Sequence, residues 1–354
     1  GYVVTPRVAF DWAKQADALA RDAHAARIFL PQGRSPRVGE LHRQQELAAT
    51  LSAIAERGPS VFYEGPIADD IVGRLQELGG LHSADDFRVA AGDFVDPVAT
   101  DFCGYTVHEC PPNGQGIAAL VMLNILGGLD LPADPLSLNR LHMEIEAGRL
   151  GYAVRDAAVA DSAKVAVPVR EILSQSFADG LRSRIDLSKA IGGLPPVVVP
   201  AHRDTVYLTV VDKDRNAVSF INSLYESYGS TIVSPRTGVL LNNRGDGFLI
   251  QPGHPNCIAG GKRPMNTIIP GMVTRNGRVQ LSFGVMGGHY PAMGHATFLT
   301  RVLRDGIDIQ TAMEMPRFGP VPGTTNVEAE MSIPEPLIEA LATRTSDDDL
   351  QASA

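Results

Sequence analysis

The spacing of apolar residues divides the chain into a helix-rich first part and a strand-rich second part. Apolar positions recur every three or four residues over 11–25, 45–56 and 68–78, which predicts three helices. A short helix is predicted to begin near 83–86, and another helix after Gly114. A long helix is predicted over 138–158. Its charged residues are expected to form a solvated, ion-paired face; they include Glu144, Glu146, Arg149, Arg155 and Asp156.

Short apolar runs elsewhere predict strands over 95–102, 105–109, 205–212, 217–224, 238–241, 271–274 and 279–285. Helical spacing returns only at 291–304 and 309–315. Strands that follow one another closely and are flanked by helices are typical of antiparallel sheets in a layered protein. The sequence therefore predicts the α+β class.

One stretch, 202–229, combines a clear strand pattern with a candidate nucleophile. Thr205 follows Asp204 directly, and Val206, Leu208 and Val210 alternate with polar residues, as in a strand with one buried face. The polar segment 212–216 predicts a turn into a second strand. Upstream, the Gly- and Pro-rich segment 185–203 is expected to be a linker that leads the chain to Thr205.

Composition and charge exclude several classes of protein. The 354 residues carry a net charge of -9, without the basic face that a nucleic-acid partner favours. The longest apolar region, near 117–128, is shorter than the roughly 18 to 20 residues that span a bilayer, so no membrane partner is predicted. Three cysteines cannot form a full disulfide framework. This chain contains no signal segment, which favours a cytoplasmic over a periplasmic or secreted location.

Most common catalytic motifs are absent from the sequence. His254 with Cys257, and His289 with His295, do not match the ligand spacings of metal sites. The segment 256–263 departs from a phosphate-binding loop, and no Gly-x-Ser-x-Gly motif occurs. No metal or other cofactor is therefore predicted. Thr205 remains as the candidate centre of the chemistry.

Four ordered blocks around Thr205 carry a family resemblance. They are TVYLTVVDKDRNAVS, GVLLNNRGDGF, KRPMNTIIP and VMGGHYP, and they resemble the small subunit of the gamma-glutamyltranspeptidase family. Upstream, FYEGPIADDI, GGLHSADDF, GYTVHECPPNGQG and IEAGRLGYAVRD resemble the second half of that family's large subunit. The resemblance implies the N-terminal-nucleophile hydrolase fold, a four-layer αββα sandwich of two antiparallel sheets. Residues 1–204 and 205–354 would then be large- and small-subunit-like parts of one domain.

The resemblance also implies cleavage by the protein itself between Asp204 and Thr205. The chemistry is reasonable on its own terms, because a Thr hydroxyl is a weak nucleophile that needs an adjacent base. A freed α-amine, with a pKa of roughly 7.7 to 8.0, would supply that base. Gly287 and Gly288 match the glycine pair whose N–H groups stabilise the oxyanion in the family. Ser223 stands where the family has a hydroxyl residue near the amine of the nucleophile.

Differences from the family pattern bear on the substrate. Gly247 stands where the family has an acidic residue that holds the α-amine of the substrate. Arg244 replaces a common Gln, Asn266 and Thr267 replace a Ser pair that binds the α-carboxylate, and Tyr225 replaces a polar residue. A lost anion and a gained cation are expected to favour anionic or neutral groups over amines. The short segment 252–262 indicates that the lid loop of some members is absent.

The sequence thus predicts a self-processing threonine amidohydrolase that acts on a small amide, with water or an amine as the acceptor. The substrate would be a gamma-glutamyl compound or another small amide, such as a dicarboxylic monoamide or an acylated antibiotic side chain. A different class, an uncleaved binding or assembly module without catalysis, is the alternative. Cleavage would give a heterodimer of large and small fragments, and the helical apolar faces also permit a homo-oligomer.

Overall fold

The computed structural model describes residues 1–194 and 205–344, which form two compact units. The first comprises Gly1–Phe94 and Leu224–Arg244, and the second Val95–Ser223 and Gly245–Ala354. The predicted processing point at 204/205 falls inside the second unit's sequence range. Asp204 itself lies outside the described residues. Within the described ranges, no helix is both long enough and apolar enough to cross a membrane.

The first unit is helical. Its helices are α1 (Pro6–Lys14), α2 (Ala16–Leu19), α3 (Ala23–Phe29), α4 (Gln45–Arg57), α5 (Ser60–Tyr63), α6 (Pro66–Glu77) and α7 (Ala84–Arg88). Strands β1 (Tyr2–Val3) and β2 (Leu41–His42) pair antiparallel. The helix predicted over 11–25 is in fact divided, because Gln15 is not helical and the extended Asp22 caps α3 by accepting from Ala25 N–H at 2.8 Å.

An aromatic core and the buried carboxylate of Asp70 help to hold the first unit together. The Trp12 ring lies 4.7 Å from His42 and 6.0 Å from Phe29 between ring centroids. Asp70 accepts hydrogen bonds from the backbone N–H groups of Arg236 and Thr237, both at 3.0 Å. These bonds fasten the segment 236–237 to α6.

The strand predicted over 238–241 is absent, and this prediction was wrong. Leu240 forms only an isolated bridge with Val233. Gly238 has a φ of 65° and lies so close to α4 that an added Cβ would be 2.8 Å from the Leu47 nitrogen. Because the backbone at Gly238 lies close against α4 and has a positive φ, it does not adopt the geometry of a strand.

The second unit is α+β. Its strands are β3 (Val98–Phe102), β4 (Tyr105–Glu109), β5 (Val206–Val211), β6 (Ala217–Asn222), β7 (Gly271–Arg275), β8 (Arg278–Phe283), β9 (Phe318–Pro320) and β10 (Val327–Ala329). Its helices are α8 (Gly116–Gly127), α9 (Leu138–Ala158), α10 (Val169–Ile172), α11 (Gln175–Arg182), α12 (Pro291–Leu299), α13 (Ile309–Glu314) and α14 (Glu335–Ala342). The main sheet has the antiparallel order β3-β4-β7-β8, and β5 pairs with β6 in a hairpin.

Helices α8 and α9 form the centre of the second unit. Helix α8 is apolar and buried along almost its whole length, and it packs against β3, α9 and α12. Gly151 makes the crossing of α8 and α9 close, because a Cβ there would lie 2.6 Å from the Met122 side chain. The bounds predicted for the long helix, 138–158, are confirmed.

The prediction that α9 has a solvated charged face was wrong. Glu144, Glu146, Arg149 and Arg155 are each at most 4% exposed. Charged side chains that are buried on a helix must be paired, because an isolated buried charge is costly. Glu144 accordingly accepts from Arg140 at 2.6 Å.

Candidate active site

Thr205 lies immediately before β5 and is half-buried. In the hairpin, Val206 is paired with Asn222 and the register continues without a shift to Val211 and Ala217. The same register, continued by one residue, would place Ser223 opposite Thr205, where Cβ atoms of facing residues are about 4.5–5.5 Å apart. The two predicted hydroxyl residues therefore belong to the same end of the hairpin.

The polar face of the hairpin packs on β8. Tyr207 Oη lies 3.0 Å from Ser219 Oγ and 3.1 Å from Ser282 Oγ, and Ser219 Oγ donates to the Phe283 carbonyl at 3.1 Å. The Tyr207 ring fills the space beside Gly284, where an added Cβ would be 2.4 Å from Cδ2. The contact joins the start of β5 to the segment that leads from β8 to Gly287. The apolar face with Val206 is exposed in the described residues, contrary to the buried face that its alternation predicted.

The glycine pair after β8 has a backbone that favours glycine. The φ angles of Gly287 and Gly288 are 129° and 62°, in the region that residues with a Cβ rarely adopt. The Gly287 carbonyl accepts from Tyr290 N–H at 3.0 Å, and the Gly288 carbonyl from Gln115 Nε2 at 3.1 Å. Across 1–194 and 205–344, neither glycine N–H donates a hydrogen bond. Two backbone donors are therefore available at this point.

Asn266 and Thr267 lie in a loop fastened to the turn before α8. The Asn266 N–H donates to the Asn113 carbonyl at 2.8 Å, and the Asn266 carbonyl accepts from Gln115 N–H at 2.9 Å. The Asn266 side-chain oxygen accepts from Ile268 N–H at 3.2 Å, so part of its hydrogen-bonding capacity serves the loop. Thr267 is 1% exposed, and its carbonyl accepts from Gln115 Nε2 at 2.6 Å.

Gln115 thus joins the loop of Thr267 to the glycine pair, and the sequence reasoning did not identify it. Its side chain is fully buried, and Arg155 Nη1 donates to its Oε1 at 2.9 Å. In the sequence, Gln115 could have been noticed as a polar residue of PPNGQG that stands directly before an apolar helix. A buried Gln needs several partners, but a sequence does not show where those partners are.

Tyr225 and Arg244 belong to the first unit. The Arg244 guanidinium lies over the Tyr225 ring, 4.8 Å from its centroid. Tyr225 has a φ of 84° and is 1% exposed. Burial lowers the pKa of Arg244, while Tyr225 acts in the opposite direction. The neighbouring Asn242 and Asn243 serve the backbone as predicted, because their side chains accept from the N–H groups of Arg244 and Glu226, respectively.

Gly247 has no room for a side chain. A Cβ at this position would lie 2.9 Å from the Met265 carbonyl oxygen, and the Gly247 carbonyl accepts from Asn256 Nδ2 at 2.7 Å. The segment 252–262 is a short loop, closed by Ile258 N–H donating to the Leu249 carbonyl at 3.0 Å. An acidic side chain could therefore not be placed at 247 without moving the backbone around it.

A buried carboxylate lies six residues before Gln115 in the chain. Glu109 Oε1 lies 2.6 Å from His295 Nδ1, and both side chains are fully buried. Burial raises the pKa of Glu109, and the interaction with His295 acts in the opposite direction. Among the described residues, no group of three or more His, Cys, Asp or Glu side chains is placed to hold a metal ion.

Comparison with solved structures identifies the fold of this chain. The structure is similar to the crystal structure of a cephalosporin acylase from Bacillus halodurans, with a TM-score of 0.89 and 35% sequence identity over 98% of this chain and 65% of that one. The fold is thus the one that this acylase has.

The chain belongs to the gamma-glutamyltranspeptidase family, whose model matches residues 1–351. It is 37% identical over 306 residues to the glutathione hydrolase-like YwrD proenzyme of Bacillus subtilis, a match that covers 86% of this chain and 58% of that protein. It is also 32% identical over 322 residues to the oxamate amidohydrolase proenzyme of Klebsiella pneumoniae, with coverages of 90% and 60%. The chain therefore spans about 60% of the length of these curated relatives. The family resemblance read from the sequence is confirmed.

Proposed function

We propose that this chain carries the catalytic centre of a self-processing threonine amidohydrolase. The Thr205 hydroxyl would attack the carbonyl carbon of a small amide, with its proton passing to the free α-amine of the same residue. The tetrahedral intermediate would expel the amine, which takes up that proton, and leave an ester on Thr205. Water, or an acceptor amine, would then attack the ester and restore the hydroxyl.

The observation that carries this proposal is the packing of Tyr207 against Gly284. It brings the strand that begins after Thr205 next to the strand that ends before Gly287. The N–H groups of Gly287 and Gly288 have no acceptor among the described residues, so they suit a negatively charged oxygen. Ser223, at the adjoining end of β6, would hydrogen-bond the amine of Thr205.

The processing proposal has separate support. The two curated relatives described above are both named proenzymes. Before cleavage, the Thr205 hydroxyl would attack the Asp204 carbonyl, and water would open the resulting ester to free the amine of Thr205. The products would be a large and a small fragment that remain together. The αββα arrangement of two stacked sheets is part of the same proposal.

The preferred acyl group would carry no α-amine. A side chain at 247 would collide with the Met265 carbonyl, so the acidic residue that the family uses for that amine has no counterpart there. Asn266 and Thr267, in the loop that Gln115 fastens within the same unit as Gly247, would contact the carboxylate of the substrate. The names of the relatives are compatible with more than one donor: one is called glutathione hydrolase-like, and another is called an oxamate amidohydrolase, oxamate being a dicarboxylic monoamide. A dicarboxylic acyl group such as glutaryl fits these residues best.

Two chromogenic donors that differ only in the α-amine test this assignment. Glutaryl-p-nitroanilide and gamma-glutamyl-p-nitroanilide have the same acyl chain, so their ratio of kcat/KM isolates recognition of the amine. We expect the glutaryl compound to be hydrolysed at least about tenfold faster, the equivalent of roughly 1.4 kcal/mol. Equal rates would show that the amine is not discriminated. Preference for the gamma-glutamyl compound would contradict the role given to Gly247.

The Thr205→Ala variant is the control for both donors, because it lacks the proposed nucleophile. It should hydrolyse neither donor. If the wild-type protein also hydrolyses no amide and stays in one piece, the alternative of a non-catalytic binding or assembly module replaces the proposed enzyme.

A further inference from the structure

The side chain of Gln115 makes one connected set of hydrogen bonds with two distant segments. It precedes α8, and its Nε2 donates to the carbonyls of Thr267 at 2.6 Å and Gly288 at 3.1 Å. The side chain is 0% exposed, so water does not compete for these bonds. The loop proposed to contact substrate and the proposed oxyanion donors are therefore held by the same amide.

Arg155 fixes the orientation of that amide. A guanidinium group only donates, so the atom 2.9 Å from Arg155 Nη1 must be the oxygen of Gln115, and both Nε2 hydrogens must face the two carbonyls. Nη1 also lies 2.9 Å from His289 Nδ1, which must then accept. His289 is consequently neutral, with its proton on Nε2. Arg155 is held in turn by Asp156, whose Oδ1 accepts from Nε at 2.7 Å.

These contacts hold three successive carbonyls around the glycine pair. The Gly287 carbonyl accepts from Tyr290 N–H, the Gly288 carbonyl from Gln115, and the His289 carbonyl from Tyr152 Oη at 2.8 Å. In a trans peptide the N–H points away from the C=O. The Gly287 carbonyl and the Gly288 N–H belong to the same peptide group, so the hydrogen bond to this carbonyl fixes the direction of the Gly288 N–H. The hydrogen bond to the Gly288 carbonyl fixes the next peptide group, which restricts rotation of the Gly288 backbone.

Glycine without such supports would lose this orientation readily, because it has more accessible backbone conformations than any other residue. Stabilisation of an oxyanion depends on donors that are already oriented before the reaction. We propose that Gln115, oriented by Arg155, is a positioning residue that holds the Gly287–Gly288 backbone in its oxyanion-binding conformation and couples it to the Thr267 loop. This inference rests on the proposed amidohydrolase function.

The proposal predicts a change in kcat without a matching change in KM. Gln115→Met keeps the volume of the side chain and removes all three hydrogen bonds. We expect kcat to fall about 10- to 100-fold, as for a misplacement of catalytic groups by about 1 Å, and KM to change by a smaller factor through the loosened Thr267 loop. Arg155→Met should lower kcat similarly. Arg155→Lys, which keeps one donor for Gln115, should recover part of the loss.

Asn124→Leu is the matched control. Asn124 is a buried amide on α8 that also donates to a backbone carbonyl, that of Leu173 at 3.1 Å, and it has no contact with the glycine pair. Both substitutions should lower the melting temperature, but only Gln115→Met should lower kcat relative to this control. Equal kcat values in the two variants, with wild type active and Thr205→Ala inactive, would overturn the positioning role and leave the proposed function intact.

Hydrogen exchange tests the same role without any activity. A peptide covering 284–292 should exchange faster in Gln115→Met than in Asn124→Leu. Unchanged exchange in that peptide would overturn the proposal, even in a protein that hydrolyses no amide.

Discussion

The substitution Gly284→Ala tests the contact that brings the strand of Thr205 to the glycine pair. An added Cβ would lie 2.4 Å from Cδ2 and 2.5 Å from Cε2 of Tyr207. Carbon atoms in contact prefer about 3.5–4.0 Å, so the ring and the new methyl group must separate by about 1 Å. Gly284 has no positive φ, so backbone strain does not complicate the comparison.

The size of the expected losses of stability and activity depends on which groups this shift displaces. Overpacking of this kind usually costs about 1–3 kcal/mol of stability. Tyr207 is two residues after Thr205, so a shift of about 1 Å at the ring also displaces the start of β5, and a displacement of that size can lower a reaction rate about 100-fold. We therefore expect a modest loss of stability and a large loss of cleavage at Thr205 and of amide hydrolysis.

The assay measures the fraction of cleaved chain against time by intact mass spectrometry, with donor hydrolysis measured on the same samples. Gly180→Ala is the control, because Gly180 is an exposed residue of α11 with nothing within 4 Å of the added Cβ. It should be neutral or stabilising by up to about 1 kcal/mol. Tyr207→Ala combined with Gly284→Ala should restore part of the cleavage. Cleavage of Gly284→Ala at the wild-type rate would refute the reasoning.

Two further substitutions test the buried carboxylates. The pKa of Glu109 is raised by burial, so its contribution to stability is present at low pH and is lost as pH rises above the usual value of 4.5. The melting temperature of Glu109→Gln should therefore increase relative to that of wild type as the pH is raised above 4.5, and parallel pH curves would contradict the burial of an ionisable group beside His295. Asp70 accepts a hydrogen bond from the Thr237 N–H, so Asp70→Ala should lower the free energy of unfolding by about 3 kcal/mol, measured by denaturant titration. The control, Asp69→Ala, changes an exposed residue and should alter this free energy by less than about 0.5 kcal/mol. Similar losses in both variants would show that the hydrogen bonds to Asp70 contribute little.

Local patterns predicted the elements around the candidate site well. The alternation after Thr205 predicted the hairpin of β5 and β6, and the spacing over 138–158 predicted the bounds of α9. Such patterns depend on neighbours in sequence, which is why they can be read without a structure. The four ordered blocks also identified the family correctly.

Features that depend on distant contacts could not be predicted in the same way. The charges of α9 resembled a solvated face, but they are enclosed, because several elements of the second unit surround that helix. Gln115 and Gly288 are separated by 173 residues, and the sequence around neither residue predicts the hydrogen bond between them. The apolar face of β5 was predicted to be buried, but it is exposed. Alternation shows that a strand has an apolar and a polar face, but it does not show which of the two is covered.

The central claim is that Thr205 becomes an N-terminal nucleophile. Intact mass and N-terminal sequencing of the purified protein, with Thr205→Ala as the control, test it most directly. We expect the wild-type protein to yield a fragment that begins TVYLTV, and the variant to stay whole. An uncleaved wild-type chain after prolonged incubation, or a new terminus at any other residue, would contradict the account.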